Sequence, residues 1–155
     1  MGLRKGTIEE YDKRLANSIS GALQRNKFDI DLQVYRGSTA SIFKNILDSN
    51  TFELMKNRKI DAEILKDKLI GNTINDKGFM STTCNSNMMD FLEGVLFKID
   101  IDRGMNGLGY IAPLSDFKEE EEVLLDKNTS LYIKDVSFSK EMNSYIISCK
   151  YLGQI

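Results

Sequence analysis

The sequence predicts one domain of the α+β class, with helices toward the N-terminus and strands toward the C-terminus. Apolar residues recur at helical spacing before residue 70, whereas short runs rich in β-forming residues dominate from residue 94 onward. The chain has 155 residues, which is enough for one sizeable core. Helices and strands do not alternate and the motif G-x-G-x-x-G is missing, so a parallel dinucleotide-binding sheet is not expected.

Composition and charge exclude several classes of function. Hydrophobic residues make up 41% of the chain, charged residues 28%, and the net charge is -2, which argues against nucleic acid as the main partner. Histidine is absent, so catalytic schemes of the Ser-His-Asp or Cys-His type are excluded. Cys84 and Cys149 lack the close spacing of a zinc site, and we expect reduced, buried thiols and no metal.

The first elements in the chain are a helix and a short strand. Thr7 followed by Glu10 forms a capping-box pattern, and the apolar residues after it predict a helix that ends near Asn26. Residues 31–35 then predict a strand, which Arg36 and the following glycine would end.

Two more helices are expected before the main group of strands. Ser38 and Thr39 can cap a helix that continues to about Asp48, and Asp61 can cap another whose apolar side faces the core. The polar residues 71–76 predict a loop.

The remaining chain predicts strands. Residues 77–83 and 94–101 each predict one strand. Residues 130–138 and 145–152 predict a closing hairpin, with residues 140–144 as its turn.

An acidic run gives the clearest sign of a functional site. Four glutamates at residues 119–122 lead directly into the apolar residues 123–125, which predict the start of a buried strand. Because residues i and i+2 of a strand share a face, Glu120 and Glu122 would point into one cavity. Two carboxylates at a strand mouth can stabilise a cation, although a solvated acidic turn is the ordinary alternative for such a run.

Two upstream motifs complete a recognisable pattern. Tyr35-Arg36-Gly37, then Gly78-Phe79-Met80-Ser81-Thr82-Thr83, then Glu120-x-Glu122-Val123-Leu124-Leu125 follow one another in the sequence. In this order they resemble the Arg-Ser-Glu signature of the ADP-ribosyltransferase exotoxin family, from about Tyr11 to the C-terminus. The resemblance implies two packed, mostly antiparallel sheets with a cleft between them, helices packed on them, and NAD as the substrate.

The resemblance also assigns roles within that cleft. It places Arg36 at the NAD phosphates, where a forked guanidinium matches the oxygens. Tyr35 belongs to the same NAD-binding motif, and the backbone of Gly37 bonds the nicotinamide amide. Ser81 would orient Glu122 through a hydrogen bond.

The two glutamates would divide the reaction between them. The resemblance implies that Glu122 stabilises the ribosyl cation formed when nicotinamide leaves. In this family Glu-x-Glu marks members that modify arginine and Gln-x-Glu marks members that modify asparagine, so Glu120 implies an arginine acceptor. The run of acids also offers Glu119 and Glu121, and the register therefore depends on the apolar residues that follow Glu122.

Two aromatic residues are expected near the substrates. In the family an aromatic residue in the loop after the serine motif stacks on the nicotinamide ring, and Phe91 is the nearest candidate. Phe117 lies in a segment, residues 113–118, that the family uses to recognise its protein target.

The resulting expectation is a mono-ADP-ribosyltransferase that modifies an arginine of an unidentified protein, such as actin or a small GTPase. The alternatives are an NAD glycohydrolase, which uses water as acceptor, and a non-catalytic docking domain of the same fold. The sequence shows no signal peptide and no apolar stretch long enough to span a membrane. We therefore expect action in a cytoplasm, either directly or after delivery of a bacterial or phage toxin by parts outside this chain.

Overall fold

The computed structural model describes residues 5–25, 28–84, 93–110 and 122–154. Within these residues, three helices and a short 3-10 turn lie mainly in the first half of the chain. They are α1 (Lys5–Arg25), the 3-10 turn (Ala40–Phe43), α2 (Ser49–Lys56) and α3 (Ala62–Leu69). The strands are β1 (Leu32–Ser38), β2 (Thr73–Asp76), β3 (Met80–Thr83), β4 (Val95–Ile101), β5 (Leu108–Tyr110), β6 (Glu122–Leu125), β7 (Thr129–Ser139) and β8 (Ser144–Gln154).

The strands form one hydrogen-bonded order, β2-β7-β8-β4-β1-β3-β6-β5. All neighbours are antiparallel except β4 and β8, which are parallel. We call β2, β7, β8, β4 and β1 the large half of the sheet, and β3, β6 and β5 the small half. The halves meet where β1 pairs with β3 through Tyr35 and Thr83. The predicted α+β class with a mostly antiparallel arrangement is therefore confirmed.

Helices α2 and α3 begin at acidic caps, although not both at the predicted positions. Asp61 accepts a hydrogen bond from the backbone of Glu63 and starts α3 as expected. The predicted helix from Ser38 to Asp48 is wrong, because only the short 3-10 turn forms there. Asp48 instead caps α2, since its carboxylate accepts hydrogen bonds from both the backbone and the hydroxyl of Thr51.

Other elements also differ from the prediction. The strand expected at residues 77–83 forms only over Met80–Thr83, as β3. Helix α1 begins at Lys5, before the predicted cap Thr7, and ends at Arg25. The loop expected at residues 71–76 contains strand β2, which pairs with β7 and buries Ile74. Pairing with a neighbouring strand outweighs the polar character of this short segment.

Strand β1 is longer than predicted and includes the Arg-Gly motif. Arg36 lies opposite Phe97 and Gly37 opposite Leu96 of β4, so the motif lies inside a paired strand rather than after its end. The predicted strand at residues 94–101 and the closing hairpin are confirmed as β4, β7 and β8.

The core is one apolar cluster that includes buried residues of the helices and of both halves of the sheet. Leu65 and Leu69 of α3 are fully buried in the same apolar cluster as Leu131 and Ile133 of β7. Each such side chain contributes roughly 1.5–3 kcal/mol through burial. Cys149 is buried and Cys84 half-buried, and neither forms a disulfide. Among the described helices, none is long and apolar enough to cross a membrane.

Candidate active site

The candidate site lies at the boundary between the two halves of the sheet. Arg36, which is half-buried, leaves β1 beside this boundary and its Nη1 atom donates a hydrogen bond to the backbone carbonyl oxygen of Ser81, 2.9 Å away. Pairing with β4 fixes the backbone of Arg36 opposite the buried Phe97. The guanidinium of the large half is thus held against the serine motif of the small half.

The serine and the glutamate meet through the pairing of β3 with β6. Thr83 lies opposite Glu122 and Ser81 opposite Leu124, so the side chains of Ser81 and Glu122 are diagonal neighbours on one face. The hydroxyl of Ser81 donates a hydrogen bond to Oε2 of Glu122. Such a bond restricts the rotation of the carboxylate and orients it.

The opposite face of this strand pair anchors the register. Thr82 is buried, and its hydroxyl donates a hydrogen bond to the backbone carbonyl oxygen of Val123 at 2.7 Å. Val123 and Leu125 are buried as well, which orients Glu122 away from the core because alternate residues of a strand face opposite sides. A slip of β6 by one residue would bury Glu122 and expose its apolar neighbours.

The arrangement combines one fixed cation with one oriented carboxylate. A guanidinium presents five N–H donors in a plane, so the bond to Ser81 leaves others for an oxygen-rich anion. A carboxylate close to it can stabilise positive charge that develops on a bound substrate. The site therefore suits a substrate with two features. The guanidinium can bind its phosphate groups, and the carboxylate can stabilise the cation that forms when one of its bonds breaks.

Of the other residues predicted for the site, two lie in β1 next to Arg36 and three lie outside the described residues. The hydroxyl of Tyr35 donates a hydrogen bond to Oε1 of Gln33 at 2.9 Å, along its own strand. Gly37 is exposed one residue beyond Arg36 in β1. Glu120, Phe91 and Phe117 lie outside the described residues, so their predicted roles stay predictions.

One notable polar residue was not predicted. Asp126, directly after β6, is 1% exposed and bonds to helix α1. A single aspartate after an apolar strand reads as a turn residue in the sequence. Its burial depends on a helix about a hundred residues earlier in the chain, which no local pattern reveals.

Comparison with known proteins identifies the class of protein to which this fold and this arrangement belong. Residues 2–153 match the ADP-ribosyltransferase exoenzyme family, and the chain belongs to that family. NAD is the substrate of this family.

One curated relative is similar over most of this chain. It is the NAD(+)–arginine ADP-ribosyltransferase EFV of Enterococcus faecalis, 26% identical over 126 residues, which are 81% of this chain. The matched region covers 22% of the relative, so this chain spans about a fifth of that longer protein.

Solved structures share the fold. C3stau2 from S. aureus, solved with NAD, has a TM-score of 0.77 at 16% identity, over 94% of this chain and 73% of that chain. C3larvin toxin, an ADP-ribosyltransferase from Paenibacillus larvae, has a TM-score of 0.65 at 28% identity, over 92% of this chain and 70% of its own. The likeness to C3stau2 concerns the fold alone, whereas C3larvin is similar in sequence as well.

Proposed function

We propose that this protein transfers ADP-ribose from NAD to an arginine side chain of a target protein and releases nicotinamide. The observation that carries the proposal is that two hydrogen bonds connect Arg36, Ser81 and Glu122, and that the bond from Arg36 crosses the boundary between the sheet halves. Family membership supports the use of NAD. The fold of the toxin from Paenibacillus larvae supports a role as a bacterial or phage toxin or effector.

The first half of the proposed reaction breaks the bond between nicotinamide and the ribose. The electron pair of that bond leaves with nicotinamide, and the ribose carbon becomes an oxocarbenium-like cation. Arg36 binds the diphosphate, and Glu122 stabilises the positive charge that is present mainly in the transition state. Ser81 keeps the carboxylate of Glu122 in the orientation that faces the ribose.

The second half forms a bond between an arginine nitrogen and the ribose carbon. A guanidinium is protonated at neutral pH and must lose one proton as the new bond forms. Glu120 accepts this proton and orients the acceptor, as a general base does. The Glu-x-Glu spacing supports an arginine acceptor, and so does the name of the relative from Enterococcus faecalis.

The remaining predicted contacts complete the proposal. Tyr35 and Gly37 flank Arg36 in the NAD-binding motif, and Phe91 stacks on the nicotinamide ring. Phe117 contacts the target protein. The target is a protein with an accessible arginine, and actin and small GTPases are candidates.

The test is incubation of the purified protein with NAD labelled in the adenosine part, together with lysates of animal and bacterial cells. A labelled protein band, with the modification located on arginine by mass spectrometry, is the expected result. Parallel reactions contain agmatine, a small guanidine, or an asparagine peptide. Release of nicotinamide without any labelled acceptor would instead identify an NAD glycohydrolase, and labelling of asparagine would contradict the assignment of Glu120.

A further inference from the structure

A buried acidic residue outside the candidate site connects helix α1 to the small half of the sheet. Asp126 is 1% exposed, and its Oδ2 atom accepts hydrogen bonds from the Ser20 hydroxyl and the Gln24 side-chain amide, both at 2.7 Å. Its Oδ1 atom accepts a third bond from the backbone N–H of Lys127 at 2.7 Å. A carboxylate accepts all three donors at once, because it carries no N–H of its own.

The same turn of α1 is also bonded to the large half. The Gln24 side-chain amide donates a second hydrogen bond, to Oε1 of Gln154 in β8, at 2.8 Å. The backbone carbonyl of Gln24 accepts a bond from Asn106 at 3.1 Å, and the carbonyl of Asn106 accepts one from the hydroxyl of Tyr151 in β8 at 2.8 Å. We call this set of bonded residues, Ser20, Gln24, Asn106, Asp126, Tyr151 and Gln154, the α1 junction.

The two halves approach each other very closely at the α1 junction. The backbone N–H of Gly107 bonds to the carbonyl of Leu23 in α1 at 3.0 Å, and its own carbonyl accepts from the backbone of Asp126 at 2.8 Å. Gly107 has a φ of +85°, and a Cβ atom there would lie 2.3 Å from Oε1 of Gln154 and 2.6 Å from the hydroxyl of Tyr151. A side chain at this position would displace the ends of the Gln154 and Tyr151 side chains, which take part in the α1 junction, and the positive φ would strain its backbone.

The halves have two other described connections: the hydrogen bond from Arg36 to the Ser81 carbonyl, and a narrow strand pairing. The halves are joined where β1 meets β3, and the register there pairs Tyr35 with Thr83. Arg36 belongs to the large half, whereas Ser81 and Glu122 belong to the small half. The angle between the halves therefore sets how far the guanidinium of Arg36 lies from the carboxylate of Glu122.

We infer that Asp126 is a positioning residue, which holds α1 against both halves and thereby fixes the width of the cleft between Arg36 and Glu122. The inference rests on the proposed function, since it assigns the cleft to NAD. Loss of the α1 junction leaves only a fraction of the molecules with the binding-competent angle. The apparent affinity for NAD then falls by that fraction, while molecules that have bound NAD react at the normal rate.

Two variants disturb the α1 junction in different ways. Asp126→Asn keeps the shape but replaces one of the two oxygens with an N–H₂ group, which must face either the donors of Ser20 and Gln24 or the backbone N–H of Lys127. Gly107→Ala inserts a methyl group between the halves without changing any polar group. The matched control is Thr51→Ala, which deletes a buried hydroxyl and its 2.6 Å hydrogen bond to Asp48, the cap of α2.

The experiment measures nicotinamide release against NAD concentration, at a temperature below the measured melting temperature of every variant. For both junction variants we expect KM to rise roughly tenfold while kcat stays within about twofold. The control should lose thermal stability but keep both constants. If Asp126→Asn does not fold, Ser20→Ala deletes one of its donors and should raise KM by roughly threefold.

Several results would overturn the inference. Junction variants that melt earlier but retain the wild-type KM would show that Asp126 only stabilises the fold. A decrease in kcat at constant KM would place the effect in the chemical step instead. Failure of the proposed function looks different, because the wild-type protein itself would then release no nicotinamide.

Discussion

The guanidinium of Arg36 donates a hydrogen bond to the backbone carbonyl oxygen of Ser81, and this bond crosses from the large to the small half of the sheet. The residue predicted to bind phosphates thus also contacts the strand that orients the glutamate. A change at Arg36 is therefore expected to affect both the binding of NAD and the position of Glu122.

The first prediction concerns the charge of Glu122. Glu122→Gln keeps the shape of the side chain and its contact with Ser81 but removes the negative charge. We expect nicotinamide release, with or without an acceptor, to fall by a factor of about one hundred or more. The rates of nicotinamide release are compared with those of the control variant Glu141→Gln. Glu141 is exposed and lies in the turn between β7 and β8. A folded Glu122→Gln protein with wild-type rates would contradict the assignment.

The second prediction concerns the geometry of Arg36. Arg36→Lys retains the positive charge but replaces a forked donor with a point charge. Because hydrogen bonds to charged groups contribute about 1.5–3 kcal/mol, we expect NAD to bind at least roughly tenfold more weakly. Calorimetric titration with NAD measures the affinity, and Arg103→Lys, at an exposed position, serves as control. Equal affinities for the two variants would place Arg36 away from the phosphates.

The third prediction separates the two predicted carboxylates. Glu120→Gln should lose transfer to agmatine but keep much of the slow hydrolysis of NAD by water, because Glu122 still stabilises the ribosyl cation. Both activities are measured side by side for this variant and for Glu119→Gln and Glu121→Gln. The latter two should behave like the wild type. A split phenotype in either of them would mean that the predicted register of the acidic run is displaced.

The fourth prediction concerns stability at alkaline pH. Burial raises the pKa of the Cys149 thiol from its ordinary value of 9.0 to about 12. Between these two values the unfolded chain loses the proton and the folded protein keeps it, so the free energy of unfolding decreases as pH rises above 9. Cys149→Val removes this contribution, and between pH 8 and 10.5 it should lose about 2 kcal/mol less stability than the wild type.

Urea unfolding at several pH values measures this difference. Burial also raises the pKa of Tyr145 and Tyr151, which weakens both proteins in the same direction and cancels in the comparison. Parallel curves for the wild type and the Cys149→Val variant would show that the thiol titrates normally in the folded protein.

The sequence predicted the candidate site best, because the residues of the site occur in short motifs with a fixed order. The order of Arg36, Ser81 and Glu122 could be read directly, and counting back from the apolar residues 123–125 places Glu122 at the first position of β6, where the structure has it. The structure brings these three side chains together. Their chemical roles remain predictions until the variants above are measured.

Elements that depend on distant partners could not be predicted. Strand β2 has a single buried apolar residue, Ile74, and exists because β7 supplies the hydrogen bonds. Helix α2 starts from the cap at Asp48, which in the sequence resembles the end of the preceding segment. The burial of Asp126 requires Ser20 and Gln24, which no local pattern could associate with it.

The position of β8 has a consequence for how the protein is made. This strand lies between β7 and β4, and its parallel pairing with β4 joins residues about fifty positions apart, such as Val95 and Tyr145. Pairings of such long range close slowly, and until then the edge of β4 that faces β8 lacks its partner strand. A nascent chain that has not yet emerged beyond residue 144 therefore cannot complete the sheet. The cleft is therefore assembled only after the ribosome has synthesised the entire domain.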